Sequence, residues 1–211
     1  MRVAMFSSGT ALDRLLGGGV EEGRTVLVET VGGLGEEVVL GFIVNALRNG
    51  RKVLILLGKR RMRDMIRFVG DGSGSYEMIA PENGDISLEE LYTIGDSIRR
   101  RNAELVVFFL LSSLLVLHKP DKVFAFCTDL CNHIRSRNST AIFTLDKALS
   151  DMKTRAMFEE SSDVVIEIEE IIEGFNIRRG IRVKKNPIAP PTDYYELKLT
   201  NGGIEIGERI L

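Results

Sequence analysis

V-L-V-E-T-V-G-G-L-G-E-E, residues 26–37, passes from a buried strand through a glycine-rich turn into the start of a helix. That is the layout of a phosphate-binding loop, in which backbone N–H groups at a helix N-terminus cradle an anion. A working loop ends in G-K-[ST]; here Gly35 is followed by Glu36 and Glu37. Carboxylates stand where a lysine and a hydroxyl belong, so the frame of a phosphate site carries reversed charge.

Outward from this loop, the pattern alternates. Residues 7–23 read as a short helix bounded by turns, with Thr10 as a cap and Gly17 to Gly19 as its stop. Residues 36–49 place Val39, Ile43, Ala46 and Leu47 on one helical stripe. Residues 53–57 and 105–110 are apolar throughout and read as strands buried on both faces. Helices are expected over 59–69, 87–101, 121–137 and 149–158, and strands over 76–80, 140–145 and 164–169. Residues 176–184, 194–200 and 203–206 alternate like antiparallel strands. Strands alternating with helices predict an α/β fold with a mainly parallel sheet covered on both faces. The C-terminal strands, from about residue 170 on, extend it as an antiparallel edge, and the whole of 1–211 reads as one domain.

Composition narrows the function classes. A net charge of −2 gives no global attraction to nucleic acid or anionic membrane. The absence of glutamine, with 27% charged residues, points to a thermophile. The apolar run 105–117 contains Ser112 and Ser113 and is too short to span a bilayer, so it reads as a strand followed by a turn. No signal peptide is read at the N-terminus, which predicts a cytoplasmic protein. Cys127 and Cys131 read as one buried helix face in a reducing compartment, with too few neighbouring ligands for a metal.

Two further stretches carry the resemblance to a known family. F-S-S-G-T-A-L-D-R-L-L-G-G-G-V-E-E-G-R-T-V-L-V, residues 6–28, resembles the opening of the RecA superfamily in its KaiC-like branch. The closing I-R-V-K-K-N and Y-Y-E-L-K-L-T-N-G-G-I are similar to the same branch, and spacing and length fit between these ends. The resemblance implies a RecA-like P-loop NTPase fold, a three-layer sandwich. It also implies where working residues would fall. The first loop glycine falls on Thr30, while Gly32, Gly33 and Gly35 remain. The phosphate-contacting lysine falls on Glu36 and the magnesium-binding hydroxyl on Glu37. The family's catalytic glutamates fall on Lys59 and Arg60, and the strand-ending aspartate on Phe109 or Leu110. Both Walker motifs are therefore degenerate, and acid and base have been exchanged together.

A magnitude sets the consequence. Two unit charges about 4 Å apart are worth roughly 1 kcal/mol in water and about 4 kcal/mol at an effective dielectric of about 20. Replacing lysine by glutamate turns attraction into repulsion, a swing of about 2 to 8 kcal/mol, or roughly 30-fold to several hundred-thousand-fold in affinity. The expectation is a non-catalytic domain, with no catalytic residue, no metal and no cofactor. In this reading Glu36 and Glu37 replace the phosphate and pair with Lys59 or Arg60. Such a domain works by binding a protein or peptide, an active paralogue or itself. The alternative is an ATP- or ADP-binding protein with a non-standard site, accessory to DNA recombination, repair or motility.

The remaining features have plain readings. The basic runs near residues 59–67, 99–101, 135–137 and 178–179 are balanced by acidic runs and read as solvated faces rather than a nucleic-acid surface. His118 and Ser112–Ser113 read as loop and turn residues. Glu167 to Glu173 reads as a strand end with an exposed acidic face, and Tyr194–Tyr195 as packing residues of an edge strand.

Overall fold

In the computed structural model, which describes residues 4–32, 35–58, 74–174, 176–200 and 203–210, nine strands form one sheet. The chain opens with β1 (Met5–Phe6), α1 (Leu12–Leu15) and β2 (Val20–Glu21), of which β1 and β2 pair apart from the main sheet. Then follow β3 (Thr25–Thr30), α2 (Gly35–Arg48), β4 (Lys52–Leu56) and β5 (Ser75–Ile79). The next elements are α3 (Leu91–Arg99), β6 (Leu105–Phe108), α4 (Leu111–Leu117), α5 (Pro120–Ser136), β7 (Thr140–Asp146) and α6 (Met152–Ser161). Four strands close the chain: β8 (Val164–Glu173), β9 (Asn176–Lys185), β10 (Tyr195–Thr200) and β11 (Gly203–Arg209). The sheet order is β11-β10-β9-β8-β3-β7-β6-β4-β5. The six strands from β8 to β5 pair in parallel, and β9 to β11 add an antiparallel edge. This is the α/β fold expected.

Alternation along β3 divides the core. Val26 and Val28 face α1 and α2, packing with Leu12, Phe42 and Ile43. Leu27 faces the other layer, with Ile94 of α3, Leu130 of α5 and Phe158 of α6. The apolarity of β6, and of β4 beyond its exposed first residue Lys52, follows from this double cover. Among the described residues no helix is long and apolar enough to cross a membrane.

Glycines seat the N-terminal loop on α2. A Cβ on Gly41 would stand 2.7 Å from the Ser8 carbonyl oxygen, a backbone atom that cannot swing aside. Gly41→Ala gains up to about 1 kcal/mol of helix propensity but meets an overpacking cost of about 1–3 kcal/mol. The cost prevails, so thermal denaturation is expected to show a lower Tm; a higher one would refute the close approach.

Several expectations are corrected. The first helix spans only Leu12–Leu15, and Thr10 is not its N-cap. Asp13 organises this turn instead, accepting from the Ser8 N–H at 2.7 Å and the Ser7 hydroxyl at 2.6 Å. Ser112 and Ser113 lie in helix α4, not in a turn. The segment contains no Gly or Pro, and its Leu111 and Leu114, three apart, are both buried. The helix expected from residue 87 begins at Leu91, because the Ser87 N–H is held by the Thr93 hydroxyl at 2.9 Å in a turn. Glu167 is buried rather than part of an exposed face. The helix expected over 59–69 lies outside the described residues.

Candidate functional site

The carboxyl ends of β3, β4, β6 and β7 open on one crevice of about 320 Å³. Crossovers leave the sheet to opposite faces here: β3 leads into α2, while β6 leads into α4 on the other side. Open α/β sheets bind ligands at such a point. Four carried-over positions converge on it: Thr30 at the end of β3, Gly35 and Glu36 at the start of α2, and Phe109 beyond β6. Leu110 joins them.

Other positions fall elsewhere. Gly32 forms the turn with φ of 62°, the left-handed region that favours glycine, and is not among the lining residues. Glu37 turns away from Glu36 and lines a second cavity of about 340 Å³, against Gly9, Asn45 and Gly203. Successive helical residues point about 100° apart, so the two carboxylates do not act as one group. Gly33, Lys59 and Arg60 lie outside the described residues. β7 and β6 separate β4 from β3, which puts β4 roughly 14 Å away at ordinary strand spacing. It reaches the same crevice through Gly58.

The turn after β3 packs around Thr30. This side chain is buried, and a Cβ placed on Gly35 would meet its methyl carbon at 2.1 Å. Gly35 is thus needed here for the approach of Thr30.

Sequence reasoning missed Asp146, Ser112 and Glu82, which also line the crevice. Asp146 ends β7 directly opposite Thr30 in the parallel register. Its carboxylate accepts the Ala148 N–H at 2.9 Å, and its own N–H donates to the Ser112 hydroxyl at 2.9 Å. The signal was T-L-D at the end of an apolar strand, one residue past the expected boundary. Among the described lining residues the charged side chains are Glu36, Glu82 and Asp146. Among the described residues, no group of three or more His, Cys, Asp or Glu is placed to hold a metal ion.

A buried charge network lies on the α6 face of β3 and β8. Glu29 and Glu167 are register partners on these adjacent strands. Glu167 accepts from the Arg182 guanidinium at 2.6 Å, the Tyr194 hydroxyl at 2.7 Å and Lys147 at 3.3 Å. Burial works against ionisation of Glu167, but these donors and cations outweigh it and hold its carboxyl below the usual range. The Arg182 guanidinium also lies 4.6 Å from the Tyr194 ring centroid. Glu29 is treated differently. Both of its carboxylate oxygens are buried without a hydrogen-bond donor, and Lys184 Nζ stands 3.8 Å off. Burial, reinforced by the Glu159 charge, pushes its carboxyl up to about 7.

Among the described residues the basic runs at 99–101, 135–137 and 178–179 are largely neutralised, and the run near 59–67 lies outside those residues. Arg99 pairs with Asp129, Arg100 with Asp96 and Arg101 with Glu77. Arg135 pairs with Asp163 at 3.0 Å, and Arg178 and Arg179 face Glu196 and Glu170, each at 3.5 Å. Burial raises both thiols, that of Cys131 to about 11, which keeps them protonated and unreactive. His118 caps α4, its Nε2 2.7 Å from the Leu88 carbonyl oxygen.

Three comparisons bear on this arrangement. A family model described as a family of unknown function, DUF7504, matches residues 85–168, the part running from before α3 into β8. A search of curated proteins finds no match. Among solved structures, a KaiC-like protein from the hyperthermophilic archaeon Pyrococcus horikoshii OT3 superposes with a TM-score of 0.79 at 18% identity, covering 97% of this chain and 99% of that one. This chain therefore has the α/β fold of a KaiC-like structure, with its mostly parallel sheet and antiparallel edge.

Proposed function

We propose that this protein is a non-catalytic member of the RecA/KaiC-like fold that works by binding another protein. One observation carries this reading: Glu36 stands on the wall of the crevice at the strand ends, where a phosphate-binding loop carries its lysine. The methyl of Thr30 packed at Gly35 supports it, since the first glycine of such a loop is replaced by a bulkier residue. A nucleoside triphosphate brings up to four negative charges to this lining. Without the loop lysine an attraction on the scale of about 1–4 kcal/mol is lost, which the α2 N-terminus, at about 0.3–1 kcal/mol, does not replace. The residues present do not fit a nucleotide, and no hydrolytic step is derived.

Calorimetric titration with ATP and ADP, with and without magnesium, tests this. The wild type is expected to give no binding heat. The Glu36→Lys, Glu37→Thr variant is expected to gain affinity, with Glu36→Lys alone supplying most of it, because Glu37 faces the second cavity. Micromolar binding by the wild type would overturn the reading in favour of a nucleotide-binding protein. The survival of an open crevice of about 320 Å³ is what favours that second reading.

A further inference from the structure

Helix α6 is thinly held. Of its ten residues only Thr154 and Phe158 are buried, whereas α5 beside it buries Val123, Cys127, Leu130 and Ile134. Segments with few buried contacts open before the rest of a fold. Phe158 packs edge-on against Phe124 of α5, with ring centroids 5.5 Å apart. The ties to the sheet are ionic and polar. Lys184 of β9 donates to the Glu159 carboxylate at 2.8 Å. Lys185 donates to the carbonyl oxygens of Glu159 and Glu160, in the last turn of the helix, at 3.2 and 2.9 Å.

Beneath this helix lies Glu29. Leu27, two residues earlier on β3, shares a core layer with Phe158, so Glu29 points the same way. It is fully buried, and neither oxygen receives a donor. The charged groups that face it are Glu159 from α6, Glu167 from β8, and Arg182 and Lys184 from β9. Tyr194 before β10 and Lys147 after β7 donate to Glu167 instead. Lys184, 3.8 Å from Glu29, is already spent on Glu159. Arg155, one turn before Glu159 on the same side of α6, has its Nε buried without an acceptor. Both sides of this interface therefore carry polar atoms that water would satisfy and the closed packing does not.

We propose that α6 is a proton-controlled latch: with Glu29 protonated it stays seated on β3 and β8, and with Glu29 ionised it lifts from a sheet that remains folded. Lifting hydrates Glu29 and parts it from Glu159, which removes the burial and the repulsion that raise its carboxyl. The closed form holds the proton up to about 7, and the open form releases it near the ordinary 4.5. Opening therefore becomes easier as pH rises through that window and is level above it. From pH 5.5 to pH 8 the opening constant is expected to rise about 30-fold. Asp146 and Leu149, which lead into α6, line the crevice, so the latch also sets how open that wall is.

Hydrogen–deuterium exchange on the full chain tests this, read by mass spectrometry in steps from pH 5.5 to pH 8 and corrected for the intrinsic rate at each pH. Peptides covering 152–161 are expected to be less protected than those of β3 and β7 throughout, and to lose about 30-fold in protection across the range. In Glu29→Gln the same peptides are expected to change by less than about threefold. Glu159→Gln removes the like charge and frees Lys184 for Glu29, so the pH at which protection stops falling is expected to move down.

Equal protection of α6 and β3 at every pH would overturn the latch, because α6 would then leave only with the whole fold, even if global stability follows Glu29. A parallel loss in the wild type and Glu29→Gln would overturn the assignment to this carboxyl. An unmoved profile in Glu159→Gln would overturn the part given to the charge on α6.

Discussion

Glu29→Gln is expected to stabilise the protein by about 3 kcal/mol at pH 8 and to remove most of its pH dependence between pH 5 and pH 8. Glu29 sits at the end of β3 on the α6 face, fully buried, with neither oxygen receiving a hydrogen bond. Its carboxyl titrates near 7 because burial opposes the charge and the Glu159 carboxylate repels it; the Lys184 cation compensates only in part. The sign follows from proton counting. Between an unfolded value of about 4.5 and the folded value of about 7, the folded state holds the proton and the unfolded state does not. Stability therefore falls as pH rises through this window and is level above it. The difference between these two values is worth about 3 kcal/mol, of which about 2.5 kcal/mol falls between pH 5 and pH 8.

Glutamine removes the charge and keeps a donor that can reach Glu159, as the protonated acid does. In urea denaturation the wild type should lose stability from pH 5 to pH 8 while Glu29→Gln stays nearly flat. For a chain of this length the difference corresponds to roughly 6–12 °C in Tm at pH 8. Parallel pH profiles for the two proteins would show that Glu29 ionises at an ordinary pH.

Glu167→Gln, the same change at the register partner on β8, is expected to destabilise by about 3 kcal/mol at pH 7. The difference in sign comes from the donors. Glu167 accepts from Arg182, Tyr194 and Lys147, and Lys147 is itself only 9% exposed. Removing the carboxylate takes a partner from the Arg182 guanidinium and one of two carboxylates from the buried Lys147 ammonium, which keeps Glu169. Because the Glu167 carboxyl is depressed, its contribution is present above about 4.5 and lost as pH falls through its folded value. Lys147→Met should recover part of the loss in the double variant, a non-additivity that urea midpoints at pH 7 would register. Two glutamates side by side, one stabilising when charged and one when neutral, form a sharp contrast. If both variants moved stability in the same direction, the division of donors within this network would be refuted.

The strand ends illustrate how far local pattern reaches. Residues 53–57 and 105–110 announced themselves as doubly covered strands because no polar side chain interrupts them, and β4 and β6 lie there. The centre of the site was legible for the same reason. Thr30, Gly35 and Glu36 belong to one continuous loop, so their convergence on the crevice follows from chain connectivity. Asp146, Ser112 and Glu82 reach the crevice from other elements; T-L-D at a strand end marked Asp146, and nothing in their own surroundings marked Ser112 and Glu82. The break after β6 was read as a turn, and helix α4 beyond it was missed for a different reason. L-V-V-F-F-L-L-S-S-L-L-V-L is apolar on both sides of the break, so a buried strand and a buried helix have the same composition there.

Sign and register mark the same limit. That residue 36 is a glutamate is a fact of sequence. That Glu37 faces another cavity depended on how α2 is rotated against Gly9 and Gly203. Glu167 looked exposed because acidic and apolar residues alternate through 167–173, yet α6, β9 and Tyr194 enclose its face. Alternation and helical period are encoded within a few residues and so can be read along the chain. Which carboxylate meets a cation, and which is buried without a donor, follows from the strand order that sets β3 between β8 and β7. Those neighbours are distant in sequence and are brought together only when the whole sheet packs.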